Sequence, residues 1–248
     1  MATITATDIM VTTTTTTTDT NGVGRPGAAH ALLHLCHLVS PALPIGAYAY
    51  SQGLEYAVEA GWIDDEQTTL DWLQGLSRHA VGTLDLPILL RLYDAWDAND
   101  LQSVRRWSDV LIASRETLEL RDEERHLGRA LARVLVTLDV PQALEWIDRE
   151  PALSTMFSLA GVRWNIRAPD LLSGYLWAWS ENLVLAAVKL VPLGQSAGQR
   201  LLYRLIAEIP GIAQRALILE DRDIGVGTVS QALASALHES QYTRLFRS

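Results

Sequence analysis

The sequence predicts an all-α fold: a single globular domain of about ten helices, with a disordered Thr-rich N-terminal arm and a short C-terminal tail. From residue 29 onward, apolar side chains recur every three or four residues, the period of a helix that buries one face. No stretch alternates strictly between apolar and polar residues, as a half-buried strand would. A hydrophobic content of 48% provides enough side chains for a sizeable core.

Residues 1–29 form the predicted disordered arm. Val11 is followed by seven threonines and then by a stretch rich in glycine and polar residues. Such a segment buries too little apolar surface to offset the entropy lost when the chain is ordered. We therefore expect an arm over residues 1–29, a helical domain over 30–240 and a separate tail over 241–248.

Helix boundary signals divide the first half of the domain. Gly61 suits the position just after a helix, and Asp100 can cap the helix that follows it. Pro87 begins or kinks another helix because it has no N–H to donate. The predicted helices are 29–39, 48–60, 88–96, 101–112 and 115–138. Between the second and third of these, another helix follows the acids at 64–66 and carries Leu70, Leu73 and Leu76.

Proline and glycine also divide the second half. Pro141 and Pro169 suit the first turns of helices, and the turn at 192–194 ends the most apolar helix of the chain. The predicted helices are 141–149, 153–165, 170–190, 199–208, 212–219 and a last one marked by Val229, Leu233 and Leu237.

The composition and motifs exclude several classes of protein. A net charge of −9 lacks the surplus of Lys and Arg that binding to nucleic acid needs. No apolar run of about 18 residues predicts a transmembrane helix, and no secretory signal is recognisable. The chain has no phosphate-binding loop of the G-x-x-x-x-G-K-[ST] type. Because Cys36 is the only cysteine, no intrachain disulfide can form, and a reducing cytoplasm is the expected location.

The stretch at residues 40–55, called the corner from here on, joins two amphipathic segments. Its two prolines break any helix, and Gly46 allows a tight turn of the backbone. Tyr48 and Tyr50 then follow where an ordinary connector carries solvated charge. The corner is therefore predicted to be rigid, either as a connector packed by its own aromatic rings or as a surface that meets a partner.

Three histidines near the N-terminus suggest a possible metal site. His30, His34 and His37 have the i, i+4 and i+7 spacing of one helical face, and imidazole is a good ligand for nickel, copper or zinc. A plain polar helix surface explains the same spacing. A nickel-storage protein that uses these three residues is one alternative function.

Ser196 lies in a G-x-S-x-G sequence and raises a second alternative, a serine hydrolase. An acidic residue, Asp221 or Asp223, and then His238 follow in the chain order of an α/β-hydrolase triad. That nucleophile belongs on a strand-to-helix turn of a largely parallel sheet, however, and this sequence predicts almost no strands.

Two further stretches are unusual in charge. Residues 114–125 are dense in both acids and arginines, which is typical of either a solvated helix face or an ion-pair network packed into the domain or a partner. The tail interleaves Tyr242 and Phe246 with Arg244 and Arg247, residue types that anchor interfaces. We expect the tail to become ordered when a partner binds.

The corner (SPALPIGAYAYSQGLE) and three later stretches occur in the same order in one known family. The later stretches are SRET at 114–117 with Glu119 and Arg121, AVKLVPLGQ at 187–195, and HESQYTRLFRS at 238–248; DLP at 85–87 also fits. As a set, over about residues 30–248, they resemble the urease accessory protein F family. Gln52 occupies a position where many relatives carry histidine, and the arm has no counterpart in this pattern.

The resemblance implies an all-α protein without catalytic activity that forms a homodimer. Its implied partners are the urease accessory protein D (also called H), the GTPase accessory protein G and apo-urease. That complex delivers nickel to apo-urease, so nickel is handled in transit and no cofactor is bound permanently. The family regulates the GTP-dependent step, and the resemblance implies the same here.

The resemblance also implies which residues contact partners. Arg244 and Arg247 of the tail dock on the D/H protein, and Tyr48 lies in a segment used at the same interface. The turn at 192–195 lies near the dimer centre or the nickel route. The full implied set is Tyr48, Ser51, Glu55, Arg115, Glu116, Glu119, Arg121, Gln195, Tyr242, Arg244, Leu245, Phe246 and Arg247.

Overall fold

A computed structural model describes residues 27–225 and 227–248, and all regular elements within them are helices. The all-α prediction is confirmed, and no β-strand occurs among the described residues. Most of the predicted arm lies outside the described residues. None of the helices in the described part of the chain is long and apolar enough to cross a membrane.

Eleven α-helices follow one another in the described residues. They are α1 Ala28–Leu38, α2 Leu54–Glu59, α3 Glu66–Leu76, α4 Leu86–Asp97, α5 Leu101–Ala113, α6 Leu118–Thr137, α7 Leu153–Arg163, α8 Ala168–Leu190, α9 Gln195–Ile206, α10 Ile209–Ile218 and α11 Val229–His238. A π-helical segment, Ser77–Asp85, joins α3 to α4. Shorter 3-10 helices cover Ala47–Ala49, Pro141–Arg149 and Asp221–Asp223.

Helices α4, α6 and α7 enclose the main apolar core. Helix α4 packs on α5 and α7, and α6 packs on α7 and on the 3-10 helix at Pro141–Arg149. Gly128 of α6 allows the closest approach, because a Cβ there would lie 2.0 Å from the Pro151 carbonyl oxygen. The long helix α8 packs on α9, α10 and α2. Fully buried core side chains include Leu89, Leu92, Leu131, Leu135 and Met156.

The corner is less helical than the sequence predicts. In place of one helix over 48–60, a 3-10 turn at Ala47–Ala49 is followed by extended backbone at Tyr50, and α2 starts only at Leu54. Gln52 and Gly53 between them have φ values of 54° and 83°. Both residues are in the left-handed region, which a continuous right-handed helix cannot include.

Helix α6 starts at Leu118, three residues later than predicted. The reason is Thr117, whose side-chain oxygen accepts a hydrogen bond from the Leu120 N–H and so caps the helix. Arg115 and Glu116 therefore lie in the preceding loop, where a side chain is free to point away from the axis of α6.

Two other boundaries also differ from prediction. The segment before Pro87 does not break but continues as a π-helix, and Pro87 lies in the first turn of α4, where no N–H is needed. Helix α9 begins at Gln195 instead of residue 199, since Gly194 takes the extended conformation that precedes a helix.

Candidate partner-binding site at the corner and tail

The four stretches that carry the family resemblance meet at one pole of the molecule, around the tail. The Ser51 N–H and hydroxyl in the corner both donate to the backbone oxygen of Ser248. Arg244 of the tail forms an ion pair with Glu119 at 2.7 Å. Ala187 and Val191, from the third stretch, share an apolar cluster with Phe246. The sequence placed these stretches far apart, and the fold brings them into contact.

The tail is folded against its own chain, which corrects the expectation that it orders only when a partner binds. Phe246 is 6% exposed and Ser248 is fully buried. The Lys189 ammonium lies 5.6 Å from the centroid of the Phe246 ring, within the range of a cation–π contact. The Arg247 N–H donates to the Ala49 carbonyl at 2.8 Å. These contacts hold the tail because they combine apolar burial with paired backbone groups.

Close packing of the corner on α11 fixes the position of both elements. A Cβ added to Gly53 would lie 2.9 Å from the Ser235 backbone nitrogen, so only glycine fits there. The same glycine has a φ of 83°, a conformation that glycine adopts without steric cost. The hydroxyls of Thr117 and Ser235 are 2.7 Å apart and join the start of α6 to α11.

Three ionisable side chains, Glu55, His238 and Glu119, form what we call the clamp. The fully buried His238 ring lies between the two glutamates, with Nδ1 2.7 Å from Glu119 Oε2 and Nε2 3.2 Å from Glu55 Oε2. Glu55 also accepts hydrogen bonds from the backbone N–H groups of Leu245 at 2.6 Å and Phe246 at 2.8 Å. The clamp therefore joins the corner, the start of α6 and the tail.

A second buried group, Asp85, Arg115 and Glu124, lies beneath the corner and is called the ion triad. The Arg115 guanidinium bridges the two carboxylates. Burial and the adjacent Glu124 raise the pKa of Asp85, against the lowering effect of Arg115. Burial lowers the pKa of Arg115, but the two carboxylates outweigh it and leave that pKa well above its usual value. Glu124 also accepts from the Leu153 N–H at 3.0 Å and so ties the ion triad to α7.

Glu123 is the buried acid that connects the corner with the end of the tail. Its carboxylate accepts from Gln52 Nε2 at 2.7 Å and from the Ser248 hydroxyl at 3.0 Å. Burial raises its pKa to about 7, and the nearby Glu124 adds to this effect. Gln52 is itself held by the Trp179 indole N–H at 2.8 Å. At neutral pH this carboxyl group is therefore close to the midpoint of its titration.

A cavity of about 120 Å³ separates the corner from these buried charges. Its wall includes Asp85, Arg115, Glu123 and Glu124, and its rim includes Tyr48. The Tyr48 side chain is 69% exposed. The cavity wall is thus mostly apolar but includes these four charged side chains, and the corner presents an aromatic ring to solvent beside it.

The remaining residues of the implied set divide between buried and exposed positions. Ser51, Glu55, Arg115, Glu119 and Phe246 serve internal contacts, as described above. Arg121 Nη1 donates to the Arg115 carbonyl at 3.4 Å. The side chains on the surface of this pole or of the adjoining loops are Tyr48, Glu116, Gln195, Tyr242, Arg244, Leu245 and Arg247. A partner-binding role for the set stays a prediction.

The histidine site is not assembled. His34 and His37 stack on Trp164, with ring centroids 4.9 and 6.5 Å away, and so serve packing of α1 on α7. No group of three or more His, Cys, Asp or Glu side chains in the described residues is positioned to hold a metal ion. The three-histidine arrangement with His30 therefore has no geometric support.

The hydrolase alternative also lacks its geometry. Ser196 is exposed in the first turn of α9, and the strand that precedes a nucleophile elbow is absent from the described residues. Both ring nitrogens of His238 are occupied by Glu55 and Glu119, so this histidine cannot act as a base for Ser196.

Sequence reasoning missed several residues that build this site. Gln52, Glu123, Glu124 and Lys189 were not in the implied set, and the only individual role considered for His238 was that of a catalytic base. One signal was available for the two acids: they lie between Leu120 and Leu127 on the apolar face of α6, where a charge must be paired. Nothing local indicates that Lys189 meets Phe246.

Comparison with known proteins gives a consistent result. The sequence model of the UreF family matches residues 63–206, more than half of the chain. The urease accessory protein UreF of Alkalilimnicola ehrlichii is 52% identical over 224 residues, which cover 90% of this chain and 97% of that protein. The UreF protein of Teredinibacter turnerae is 52% identical over 217 residues, which cover 88% of this chain and 98% of that protein. The UreF protein of Hahella chejuensis is 46% identical over 218 residues, which cover 88% of this chain and 98% of that protein.

Proposed function

The chain belongs to the urease accessory protein UreF family, and we propose on this premise that it is a non-catalytic chaperone for insertion of the nickel metallocentre of urease. In this role it binds the D/H accessory protein and the GTPase accessory protein G, and it acts on apo-urease in the cytoplasm. The GTPase supplies the nucleotide chemistry for which this chain has no phosphate-binding loop. Nickel is cargo of the complex and not a resident cofactor of this chain.

The observation that carries the proposal is the convergence of the four family stretches at the tail. Phe246 and the clamp anchor the tail from within, while Tyr48, Tyr242 and Leu245 face solvent beside them. Exposed aromatic and apolar side chains on a rigid support are typical of interface anchors. We assign this pole to the D/H protein.

Regulation of the GTPase follows from binding and requires no catalytic group. A chain that holds both the GTPase and the D/H protein couples nucleotide state to nickel release if its affinity differs between the two nucleotide states. The coupling is reciprocal, so bound GTP must then change the affinity of the complex for nickel by the same factor as nickel changes the affinity for GTP.

A homodimer is supported by a second surface, on the side of the molecule formed by α1, α8, α9 and α10. An open groove there is lined largely by apolar side chains, among them Leu35, Trp177 and Ile209. Leu32, Leu33, Tyr203 and Ile206 on the same helices are exposed. A second copy of the chain would cover these exposed apolar side chains in a symmetric dimer.

Removal of the tail tests the assignment of its partner. A chain that ends at Gln241 should fail to co-purify with the D/H protein and should fail to support urease activation in a strain that lacks its own copy. The full chain is the control, and far-ultraviolet circular dichroism checks that the shortened chain remains helical. Retention of the D/H protein by the shortened chain would show that the assignment is wrong.

Sizing of mixtures tests the wider assembly. The chain is mixed with the D/H protein and the GTPase, with and without GTP and nickel, and the mass of each product is measured by light scattering. A product that contains all three proteins, with two copies of this chain, supports the proposal. A product that never contains the GTPase would remove the regulatory role.

A further inference from the structure

The hydrogen bonds of the clamp require an additional proton. A neutral imidazole has one N–H donor and one bare nitrogen, which accepts. Both ring nitrogens of His238 face carboxylate oxygens, and an ionised carboxylate has no hydrogen to donate to a bare nitrogen. With a neutral ring and two ionised glutamates, a nitrogen lone pair would face an oxygen lone pair inside the protein. Such an unpaired buried contact costs far more than it does in water.

An imidazole is a stronger base than a carboxylate, which favours His238 as the group that carries that proton, and the charges around the clamp then balance. Two carboxylates and one imidazolium sum to −1, and the Arg244 guanidinium on Glu119 Oε1 brings the sum to zero. Glu239, the next residue after α11, is directed elsewhere: it accepts from the Leu118 N–H at 2.9 Å, at the positive end of the α6 dipole. The groups that face the ring are thus Glu55 from α2 and Glu119 from α6, and Arg244 acts through Glu119.

The same carboxylates hold the tail. Glu55 accepts from His238 and from the backbone N–H groups of Leu245 and Phe246, and Glu119 accepts from His238 and Arg244. A change in the charge of His238 therefore alters the groups that hold the tail without any direct contact between His238 and a partner.

We infer that His238 is a positively charged positioning residue whose proton keeps the tail docked, and that loss of the proton releases the tail. With the proton present, Glu55 and Glu119 are fixed by two N–H donors and present their other oxygens to the tail. Without it, one carboxylate faces a bare nitrogen and moves away, and its bonds to the tail break. Tyr242 and Leu245 then lose the fixed positions in which they face solvent.

The effect on partner binding rests on the proposed function, whereas the protonation of His238 does not. If the docked tail is the surface that a partner recognises, the proton on His238 controls the affinity of that surface. A partner with an apolar groove for Leu245 and an aromatic contact for Tyr242 binds the protonated form more tightly, because less conformational entropy is lost on binding.

The first test detects the proton in the full chain without any substitution. Nitrogen-15 chemical shifts of selectively labelled histidine distinguish an imidazolium, with two protonated nitrogens, from either neutral tautomer. We expect His238 to show two protonated nitrogens at about pH 7, and the exposed His79 serves as the comparison. A neutral tautomer of His238 at this pH would overturn the inference.

The second test measures release of the tail. Hydrogen exchange at the Leu245 and Phe246 amides is followed from about pH 6 to about pH 9 and expressed as protection, which removes the intrinsic pH effect. The measurement uses a Glu123→Gln background, because Glu123 contacts Ser248 and titrates in the same range. Protection should fall about tenfold or more as the pH rises. Protection that stays constant would contradict the inference.

A matched pair of variants separates the clamp from general effects. His238→Gln, in the same background, should show low and pH-independent protection of both amides, whereas His79→Gln should behave like its parent. If His238→Gln does not fold, the titration of the parent chain still decides the question. Affinity for the D/H protein is measured last: a clamp that titrates as expected, with unchanged affinity, contradicts the proposed function of the tail but leaves the proton on His238 established.

Discussion

Two largely buried regions of this molecule are built from opposite chemistry. The core between α4, α6 and α7 consists of side chains such as Leu89, Leu131 and Met156. The pole at the corner and tail contains the ion triad, the clamp and Glu123, with burial that approaches that of the core. Apolar burial is non-directional and tolerates small shifts, whereas each buried charge needs a partner at a defined distance. The pole is therefore the part that depends on single contacts and on pH.

The two regions also differ in what their stability is used for. Apolar side chains of similar volume could replace much of the ion triad without loss of stability, since desolvation offsets most of the attraction within a buried ion pair. Charge buried beside the docked tail and a cavity is consistent with a binding role for the pole. Substitutions in each region test this difference.

The largest expected effect comes from Arg115. Arg115→Gln leaves Asp85 and Glu124 buried without a counter-charge and should lower the free energy of unfolding by about 3–5 kcal/mol. In the core, Leu131→Ala should cost about 2–5 kcal/mol through the cavity it leaves. Urea unfolding measures both values, and only the loss at Arg115 should change with pH.

A neutral version of the ion triad tests the reason for that loss. The combined variant Asp85→Asn, Arg115→Gln and Glu124→Gln keeps hydrogen-bonding groups but contains no charge, so it should regain more than half of the stability lost in Arg115→Gln. If the triple variant is as unstable as the single one, unpaired charge is not the cause, and the contrast between core and pole weakens.

Glu123 provides the next largest effect, and it depends on pH. Because burial raises its pKa from 4.5 to about 7, the folded state holds a proton that the unfolded state has already lost between these values. The free energy of unfolding is therefore greatest at the acidic end of this range and falls as the pH rises to about 7. Glu123 accounts for about 3 kcal/mol of this fall. Glu123→Gln resembles the protonated acid and should remove this slope.

The measurement for Glu123 is a series of urea unfolding curves between about pH 5 and pH 8. The variant should match the wild-type chain near pH 5 and exceed it by about 2–3 kcal/mol at pH 8. Leu131→Ala is the control, because it lowers stability by the same amount at each pH. Parallel slopes for wild type and Glu123→Gln would mean that this carboxyl group is not the source of the pH dependence.

The helices that build the apolar core were predictable from the sequence, because their signals lie within or next to each helix. Helices such as α5 and α8 follow from apolar periodicity and from caps or prolines next to them, including Asp100, whose side chain accepts from the Gln102 and Ser103 N–H groups. Boundaries failed where one side chain decided the outcome, as Thr117 does at the start of α6. These are short-range effects, and only their exact position was missed.

At the pole, several of the charged residues were predictable from the sequence, but their contacts were not. Glu55, Glu119 and Arg115 were identified through the family pattern, yet most of their partners are distant in the chain. Asp85 lies 30 positions from Arg115, and Leu245 lies 190 positions from Glu55. No periodicity relates Asp85 to Arg115 or Glu55 to Leu245, because such pairs depend on how whole helices pack. Ordering of the tail was misjudged for the same reason: the pocket that receives Phe246 is built by α2, α8 and α11.

The most direct test of the pole as the partner surface uses exposed residues, whose loss leaves the fold intact. Tyr48→Ala and Leu245→Ala remove a corner ring and a tail side chain, and Leu144→Ala removes a similarly exposed leucine from the 3-10 helix at Pro141–Arg149. Each should change stability by no more than about 0.5 kcal/mol. Affinity for the purified D/H protein is then measured by titration calorimetry. The pole variants should lose about tenfold or more, and Leu144→Ala should bind like the wild-type chain; equal affinities for all three would contradict the assignment of the pole.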